Sequence, residues 1–320
     1  MLDMFCALCF SQLAVTEKDK NSKGKSMAVS QWQKNPDLLR KTIEFDYRDN
    51  RYRGTLVAPP KSEGPKPLVL VIHNYQGLKF FDEDVAEFMA RSGYVGLAID
   101  LYGDNVPSNE RLWPDDPEKV MSFNRKCFEA MVQCDHDHEF FRSLLNQWLI
   151  KGVEEESVEH RVPPAAIGYC FGGVAVLEAV RAGLNLSGVV SFHGLLQTGE
   201  DKAPEMVGIE RPNLKLVPNV YNKDTVVLIE NGRDDHLVSD ESRVRFCKEM
   251  DDAGVPWIFH DYSGTPHGFA LPPTLGPPGH LHKSSDRLST ISMLRLFKEI
   301  FPDFKQNRVE YNASGNFIPD

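Results

Sequence analysis

The six residues 168–173, Gly-Tyr-Cys-Phe-Gly-Gly, constrain the fold of this 320-residue chain more than any other stretch. An apolar run precedes them at 164–167, and apolar residues recur at helical spacing over 174–180, so Cys170 lies where a strand turns into a helix. A turn this sharp strains its central residue and leaves room only for small residues two positions away, which two glycines of the motif provide. Because a helix N-terminus favours a thiolate, Cys170 is a candidate nucleophile, with an inert buried cysteine as the alternative.

Predicted strands and helices alternate on both sides of this turn. Alternating apolar residues over Thr42–Ala58, with a turn signal at Asp49-Asn50, predict an antiparallel hairpin. The pattern predicts an α/β fold with a mostly parallel central sheet, an antiparallel N-terminal hairpin and helices on both faces. We expect one domain over 38–305, between an N-terminal extension (1–37) and a C-terminal tail (306–320). Short apolar runs predict the remaining strands at 68–72, 94–99, 188–192, 225–229 and 257–259.

Composition limits the partners of the chain. A net charge of −10 argues against a nucleic-acid partner, which would require a basic face. No apolar run is long enough for a membrane span, and the apolar first 15 residues lack a preceding Lys or Arg, so we interpret them as a non-secretory extension. Six scattered cysteines indicate reduced thiols and a cytoplasmic location. The oligomeric state stays open.

Two motifs could be taken for metal sites. Cys6 and Cys9 form a lone CxxC, which is weak support for zinc or redox chemistry without a second pair. The stretch Asp135–His138 falls within a long predicted helix, where adjacent positions point in different directions. We interpret it as a solvated charged face and predict no metal site.

Polar residues follow several predicted strands at the edge where ligands bind in open sheets of this kind. Cys170 comes first, Asp235 follows a later strand, and His267 follows the last strand. Asp234 competes with Asp235 for the role of the acid. A thiolate nucleophile, an imidazole that transfers protons and a carboxylate that orients the imidazole are the three groups that acyl transfer requires.

Four stretches together resemble the dienelactone hydrolase family, over roughly residues 42 to 301. They are Gly168–Gly173, Asp-Leu-Tyr-Gly at 100–103, Gly-Arg-Asp-Asp-His-Leu-Val at 232–238 and Pro-His-Gly-Phe at 266–269. The resemblance implies an α/β-hydrolase fold, hydrolysis of esters or lactones, and no cofactor. It also implies that Cys170 attacks, His267 transfers protons and Asp235 orients the histidine.

Further site residues are expected around this triad. The backbone N–H groups of Phe171 and Tyr75 would form the oxyanion hole. Asn74, His73 and His193 would line the substrate pocket, although a histidine at either position could equally be a structural hydrogen bonder.

The chain also departs from the family pattern at two positions. Asn74 stands where many members carry a glutamate, so thiolate formation would depend on His267 and the helix dipole alone. Leu271 stands where an arginine of the best-known members binds the substrate carboxylate, so we do not carry over their substrate. Four other cations could replace that arginine: Lys79, Arg111, Arg125 and Arg233.

The leading hypothesis is a hydrolase of small carboxylic esters or lactones that forms an acyl-enzyme on its cysteine. The alternative is a hydrolase-fold protein that binds a small ligand or a protein partner without turning it over. A third interpretation is a redox or metal protein that uses Cys6 and Cys9.

Overall fold

The computed structural model of the chain describes residues 34–106, 117–198 and 212–309, without residues 274, 277 and 278. The predicted N-terminal extension up to residue 33, with Cys6 and Cys9, lies outside the described residues, as do Arg111 and the tail from residue 310.

Eight strands form one sheet in the order β1-β2-β4-β3-β5-β6-β7-β8. β2 pairs antiparallel with β1 and β4, and the other neighbours run parallel, which confirms the predicted hairpin and the mostly parallel sheet. The strands are β1 (Leu39–Tyr47), β2 (Asn50–Ala58), β3 (Leu68–Ile72), β4 (Val95–Ile99), β5 (Ala165–Tyr169), β6 (Gly188–Phe192), β7 (Val226–Gly232) and β8 (Trp257–Tyr262).

Six α-helices cover both faces of the sheet in the described part of the chain. Their apolar side chains divide into two cores, with α2, α3, α4 and α5 on one face and α1 and α6 on the other. Strand β3 alternates between them, because successive side chains of a strand point to opposite faces: Leu68, Leu70 and Ile72 join one core, and Val69 and Val71 the other. The helices are α1 (Phe80–Arg91), α2 (Pro117–His136), α3 (His138–Val153), α4 (Phe171–Arg181), α5 (Asp240–Ala253) and α6 (Lys283–Ile300).

The prediction of a single helix with a solvated charged face at Asp135–His138 is wrong. The helix breaks at Asp137, whose carboxylate caps α3 by accepting the N–H of Phe140. His136 and His138 are buried at this junction, 9% and 5% exposed. His136 Nδ1 lies 2.9 Å from the carbonyl oxygen of Pro212, a residue far along the chain that gives this polar side chain a partner.

Helix α5 begins and ends at residues that commonly cap helices. Ser239 caps α5 by accepting the N–H of Ser242, and Gly254 ends it with a φ of 69°. No helix in the described ranges is both long enough and apolar enough to cross a bilayer.

Candidate active site

Cys170 joins β5 to α4 in a strained backbone conformation, with φ 55° and ψ −110°. The glycines around it are required by close packing. A Cβ atom at Gly168 would lie 2.0 Å from the carbonyl oxygen of Gly172, and one at Gly172 would lie 2.1 Å from that of Ile72. These distances confirm the expectation that only small residues fit there, and the turn leaves the half-buried Cys170 at the N-terminus of α4.

Three loops at the carboxyl ends of β5, β7 and β8 bring together residues that are far apart in the sequence. His267 Nε2 lies 3.2 Å from Cys170 Sγ, and His267 Nδ1 lies 2.8 Å from Asp235 Oδ2. The other carboxylate oxygen of Asp235 accepts the N–H of Leu237 at 2.9 Å. Since both oxygens of this buried carboxylate are engaged, its orientation toward the imidazole is fixed.

Neighbouring groups shift the pKa values of His267 and Asp235. Burial disfavours the imidazolium form, but the Asp235 carboxylate and the Cys170 sulfur outweigh it and raise the pKa of His267 well above its usual range. Burial would likewise raise the pKa of Asp235, but His267 and the N–H of Leu237 lower it below its usual value. The site therefore favours the protonated form of His267, which lies between the Asp235 carboxylate and the Cys170 sulfur.

The two candidate acids occupy different positions. Asp235 is 3% exposed and contacts the imidazole, whereas Asp234 is exposed at the surface. The Asp234 N–H donates to the carbonyl oxygen of Thr265, which ties the loop after β7 to the loop that carries His267. The geometry thus brings Asp235, and not Asp234, to the histidine.

Asn74 shapes the loop after β3. Its side-chain oxygen accepts the N–H of Gln76 at 2.8 Å, and its backbone carbonyl accepts the N–H of Gly77 at 3.2 Å. Tyr102 donates its hydroxyl to the carbonyl oxygen of Tyr75 at 2.8 Å. Because Asn74 is only 3% exposed, it helps to set the backbone around Tyr75, and its place in the pocket wall stays a prediction.

The structure gives His73 a structural role in place of the predicted pocket position. Its side chain is fully buried, and its Nε2 accepts the N–H of Leu101 at 3.0 Å. Nδ1 must then carry the proton, which it donates to the carbonyl oxygen of Asn74 at 2.6 Å. With both ring nitrogens bonded to the backbone, the buried side chain of His73 links the ends of β3 and β4.

His193 is also fully buried, which corrects its predicted position at the pocket surface. Its ring lies 5.2 Å from the ring of His267 and 5.4 Å from that of Phe269. Neither of its ring nitrogens has a hydrogen-bond partner. The buried ring of His193 therefore packs against the imidazole of His267.

Two residues near the site, His280 and His282, were missed by sequence reasoning. His280 Nδ1 lies 2.7 Å from the carbonyl oxygen of His267, and the N–H of His282 donates to that of Phe269. Residues 280 and 282 thus hold the histidine loop against the start of α6. The only sequence signal was the position of His280 shortly after the Pro-His-Gly-Phe motif.

The predicted substitutes for the missing arginine are occupied elsewhere or lie outside the described residues. Arg233 pairs with Asp240 and Asp261, and Arg125 pairs with Glu129. Lys79 lies with its ammonium 4.5 Å from the ring centre of Phe123. Leu271 is buried in the core on the α1 and α6 face.

In the part of the chain that the structure describes, no group of three or more His, Cys, Asp or Glu side chains is arranged to hold a metal ion.

Comparison with known proteins places the chain among hydrolases. The model of the dienelactone hydrolase family matches residues 53–301. A probable 2-oxo-3-(5-oxofuran-2-ylidene)propanoate lactonase from Bradyrhizobium sp is 24% identical over 241 residues, which cover 72% of this chain and 86% of that protein. A carboxymethylenebutenolidase from Pseudomonas sp. (strain P51) is 25% identical over 207 residues, covering 64% of this chain and 75% of that protein.

Solved structures share the fold. A dienelactone hydrolase-like promiscuous phosphotriesterase from metagenomic libraries superposes with a TM-score of 0.63 at 24% identity, covering 84% of this chain and 99% of that chain. MGS-M1, an α/β-hydrolase enzyme from a deep-sea metagenome library, gives a TM-score of 0.52 at 14% identity, covering 83% and 99%. At such low identities these likenesses show the α/β-hydrolase fold alone.

Proposed function

Because the chain belongs to the dienelactone hydrolase family and is a hydrolase, we propose that Cys170, His267 and Asp235 form its catalytic triad for hydrolysing small carboxylic esters or lactones. The observation that carries this proposal is the continuous contact from sulfur to imidazole to carboxylate, at 3.2 and 2.8 Å. These are the distances at which a nucleophile, a proton carrier and an orienting acid work as one unit.

The first half of the reaction forms an acyl-enzyme. The Cys170 thiolate attacks the carbonyl carbon, an S–C bond forms, and the carbonyl π electrons move onto oxygen. The N–H groups of Phe171 and Tyr75 would stabilise this oxyanion; Phe171 is the first residue of α4, so its N–H has no acceptor within the helix. As the C–O bond breaks, the His267 imidazolium donates its Nε2 proton to the leaving alkoxide.

The second half returns the enzyme to its starting state. Neutral His267 takes a proton from water, and the hydroxyl oxygen attacks the thioester carbon. When the second tetrahedral intermediate collapses, the C–S bond breaks, the carboxylic acid leaves and the thiolate regains its imidazolium partner. Asp235 keeps Nδ1 protonated throughout, which directs Nε2 at the reacting atoms.

The surroundings of the triad support a small, partly apolar substrate. Tyr75 stacks on Phe128 with ring centres 4.8 Å apart beside the oxyanion loop. Leu271 in place of a cation removes one anchor for a substrate carboxylate. We therefore favour uncharged esters and lactones over substrates that carry a carboxylate.

The test is turnover of p-nitrophenyl acetate by the wild type, Cys170→Ala and His267→Ala. We expect a stoichiometric burst of p-nitrophenolate in the wild type and loss of turnover in both variants. Cys247→Ala is the matched control, because Cys247 is a half-buried cysteine on α5, away from the triad. A Cys170→Ala enzyme with the wild-type rate would refute the proposal.

The same samples test the binding-only alternative. That alternative predicts that iodoacetamide labels Cys170 no faster than an ordinary thiol, whereas a thiolate–imidazolium pair reacts faster near neutral pH.

The mechanism also requires a reduced sulfur, and Cys127, Cys134, Cys170 and Cys247 are all free thiols. This supports a cytoplasmic location as part of the proposal.

A further inference from the structure

His193 occupies a position that is unfavourable for a histidine. It is fully buried, and neither ring nitrogen has a hydrogen-bond partner. Its backbone also adopts a φ of 42°, in the left-handed region that suits glycine and asparagine better. A buried imidazole without partners and a strained backbone each cost stability, so their coincidence at one residue points to a role in function.

The backbone around His193 is tied to two of the catalytic loops. Its own N–H donates to the carbonyl oxygen of Glu230 in β7, at 2.8 Å. The preceding residue, Phe192, accepts the N–H of Cys170 at 2.9 Å. His193 is therefore held in place between the strand that leads to the acid and the turn that carries the nucleophile.

The ring of His193 packs among aromatic rings, and one of these is the imidazole of His267. The two imidazoles meet nearly edge to face, 5.2 Å apart at 72°. Phe269 lies 5.4 Å away at 75°, and Tyr169 closes a third side at 6.1 Å. The ring of His193 thus packs directly against the imidazole of His267 within a buried aromatic cluster.

His193 remains uncharged in this environment. Burial and the neighbouring charge of His267 lower the pKa of His193 well below its usual value. A neutral ring presents a partly negative face that attracts a cation, whereas a second imidazolium would repel the first.

We propose that His193 is a positioning residue that fixes the ring plane of His267 toward Cys170 by edge-to-face packing, without exchanging a proton itself. This inference rests on the proposed triad but assigns to His193 a role that requires its ring shape and not its nitrogens. A residue that bound substrate or relayed protons would need the nitrogens.

Two substitutions separate these possibilities. His193→Phe keeps the ring and removes the nitrogens, so we expect kcat on p-nitrophenyl acetate to fall no more than about threefold. His193→Asn tolerates the left-handed backbone but lacks the ring, so we expect kcat to fall about 30-fold or more with KM nearly unchanged. If the Asn variant does not fold, His193→Gly takes its place in the comparison with the Phe variant, because glycine also lacks the ring and adopts this backbone conformation without strain.

A second measurement does not depend on ester turnover. The rate of iodoacetamide labelling at Cys170, followed by peptide mass spectrometry across pH, reports the thiolate–imidazolium pair directly. Without the His193 ring the imidazolium is less well held, so we expect the midpoint in the Asn or Gly variant to rise by about one pH unit. The Phe variant should keep the wild-type midpoint. Phe246→Leu, which removes a buried ring in the opposite core, should lower stability without moving the midpoint.

Two results would overturn the inference: a Phe variant as impaired as the Asn variant, or an Asn or Gly variant with the wild-type midpoint. Either result leaves the triad intact. Failure of the triad shows separately, as wild-type turnover in Cys170→Ala. If the wild type hydrolyses no ester, the labelling profile still decides the role of His193.

Discussion

The carboxylate of Asp235 lies 2.8 Å from His267 Nδ1 and favours the protonated imidazole. Asp235→Asn keeps the size of the side chain but removes its charge, and we expect kcat to fall about 10³- to 10⁴-fold. The pKa of His267 lies well above its usual range largely because of this carboxylate. In the proposed mechanism a protonated His267 releases the alkoxide, so we expect activity to decline as pH rises through this pKa. In the Asn variant the decline should move to lower pH, as measured by kcat from pH 6 to 10.

Asp234→Asn is the matched control for this prediction. Asp234 is exposed and contacts the histidine loop only through its backbone N–H. We expect wild-type kcat and an unchanged pH profile. A loss in Asp234→Asn equal to that in Asp235→Asn would contradict the assignment of the acid.

The Asn74 side chain shapes the loop after β3, which carries the proposed oxyanion donor Tyr75. Asn74→Ala removes the acceptor for the Gln76 N–H, and the N–H of Tyr75 loses its fixed direction. We expect kcat to fall roughly 10- to 100-fold with little change in KM, because the oxyanion exists only in the transition state. Asn74→Ser, whose hydroxyl can accept the same bond more weakly, should give an intermediate kcat. Equal rates in all three proteins would argue against this role.

At the scale of single elements, the start of α1 contains a carboxyl group, that of Asp82, whose ionised form is disfavoured by burial. Asp82 is 2% exposed, and one of its oxygens accepts the N–H of Lys79 while the other has no partner. Burial raises the pKa of Asp82 to about 7. The unfolded chain loses this proton near pH 4, so the contribution of Asp82 to stability falls between about pH 4 and pH 7.

Asp82→Asn should therefore stabilise the protein at pH 8 by on the order of 2–4 kcal/mol and have little effect at pH 4. Urea unfolding at the two pH values measures both differences. An equal effect at both would show that Asp82 is not protonated in the folded state near neutral pH.

The sequence predicted those elements whose pattern is local. The limits of β3 and β6 agree with the prediction residue for residue, because each is a short apolar run in a fully buried strand. The break between α2 and α3 was missed, since it depends on contacts of His136 and Asp137 with Pro212 and Lys215. In α6, apolar residues at helical spacing (Leu288, Ile291, Leu294 and Phe297) predict the helix. Leu288 is nevertheless 44% exposed, because small polar residues are buried at the start of this helix.

In the candidate site, too, the sequence predicted some features and not others. The turn at Cys170 and the order of Asp235 and His267 could be predicted, because a strand end determines where the side chain that follows it will lie. The roles of His73 and His193 could not. Each depends on which atoms surround an imidazole in three dimensions, and sequence spacing carries no information about that.

At the scale of the whole molecule, a buried ionic network joins the nucleophile helix to distant segments. Glu178 on α4 lies 2.8 Å from Arg142 of α3 and 3.0 Å from Arg181. Arg142 also donates to the carbonyl oxygen of Pro218, and Arg181 to that of Leu196. The network thereby ties α3 and α4 to both sides of the long connection between β6 and β7.

Glu178→Gln leaves the buried guanidinium of Arg142 without its carboxylate partner and Arg181 with Glu249 alone, and we expect a loss of about 3–5 kcal/mol in the free energy of unfolding. Burial opposes ionisation of Glu178, but the two arginines prevail and lower its pKa. The stabilisation by Glu178 is therefore present above the pKa that a glutamate has in the unfolded chain, and it is lost as pH falls through the lower pKa of Glu178 in the folded protein. The free energy of unfolding of the Gln variant should consequently depend less on pH in the acid range than that of the wild type. Asp252→Asn, which removes an exposed i,i+4 pair with Lys248, should change stability little in the same urea titration.

The sulfur and the imidazole that meet in this fold lie 97 residues apart in the chain. During translation, the ribosome therefore releases Cys170 long before it makes His267, and the cysteine has no proton carrier until β8 has docked beside β7. If the proposed triad is correct, a chain that ends between residues 170 and 267 contains the nucleophile without its proton carrier, so we expect hydrolysis of an ester only after residue 267 has been made.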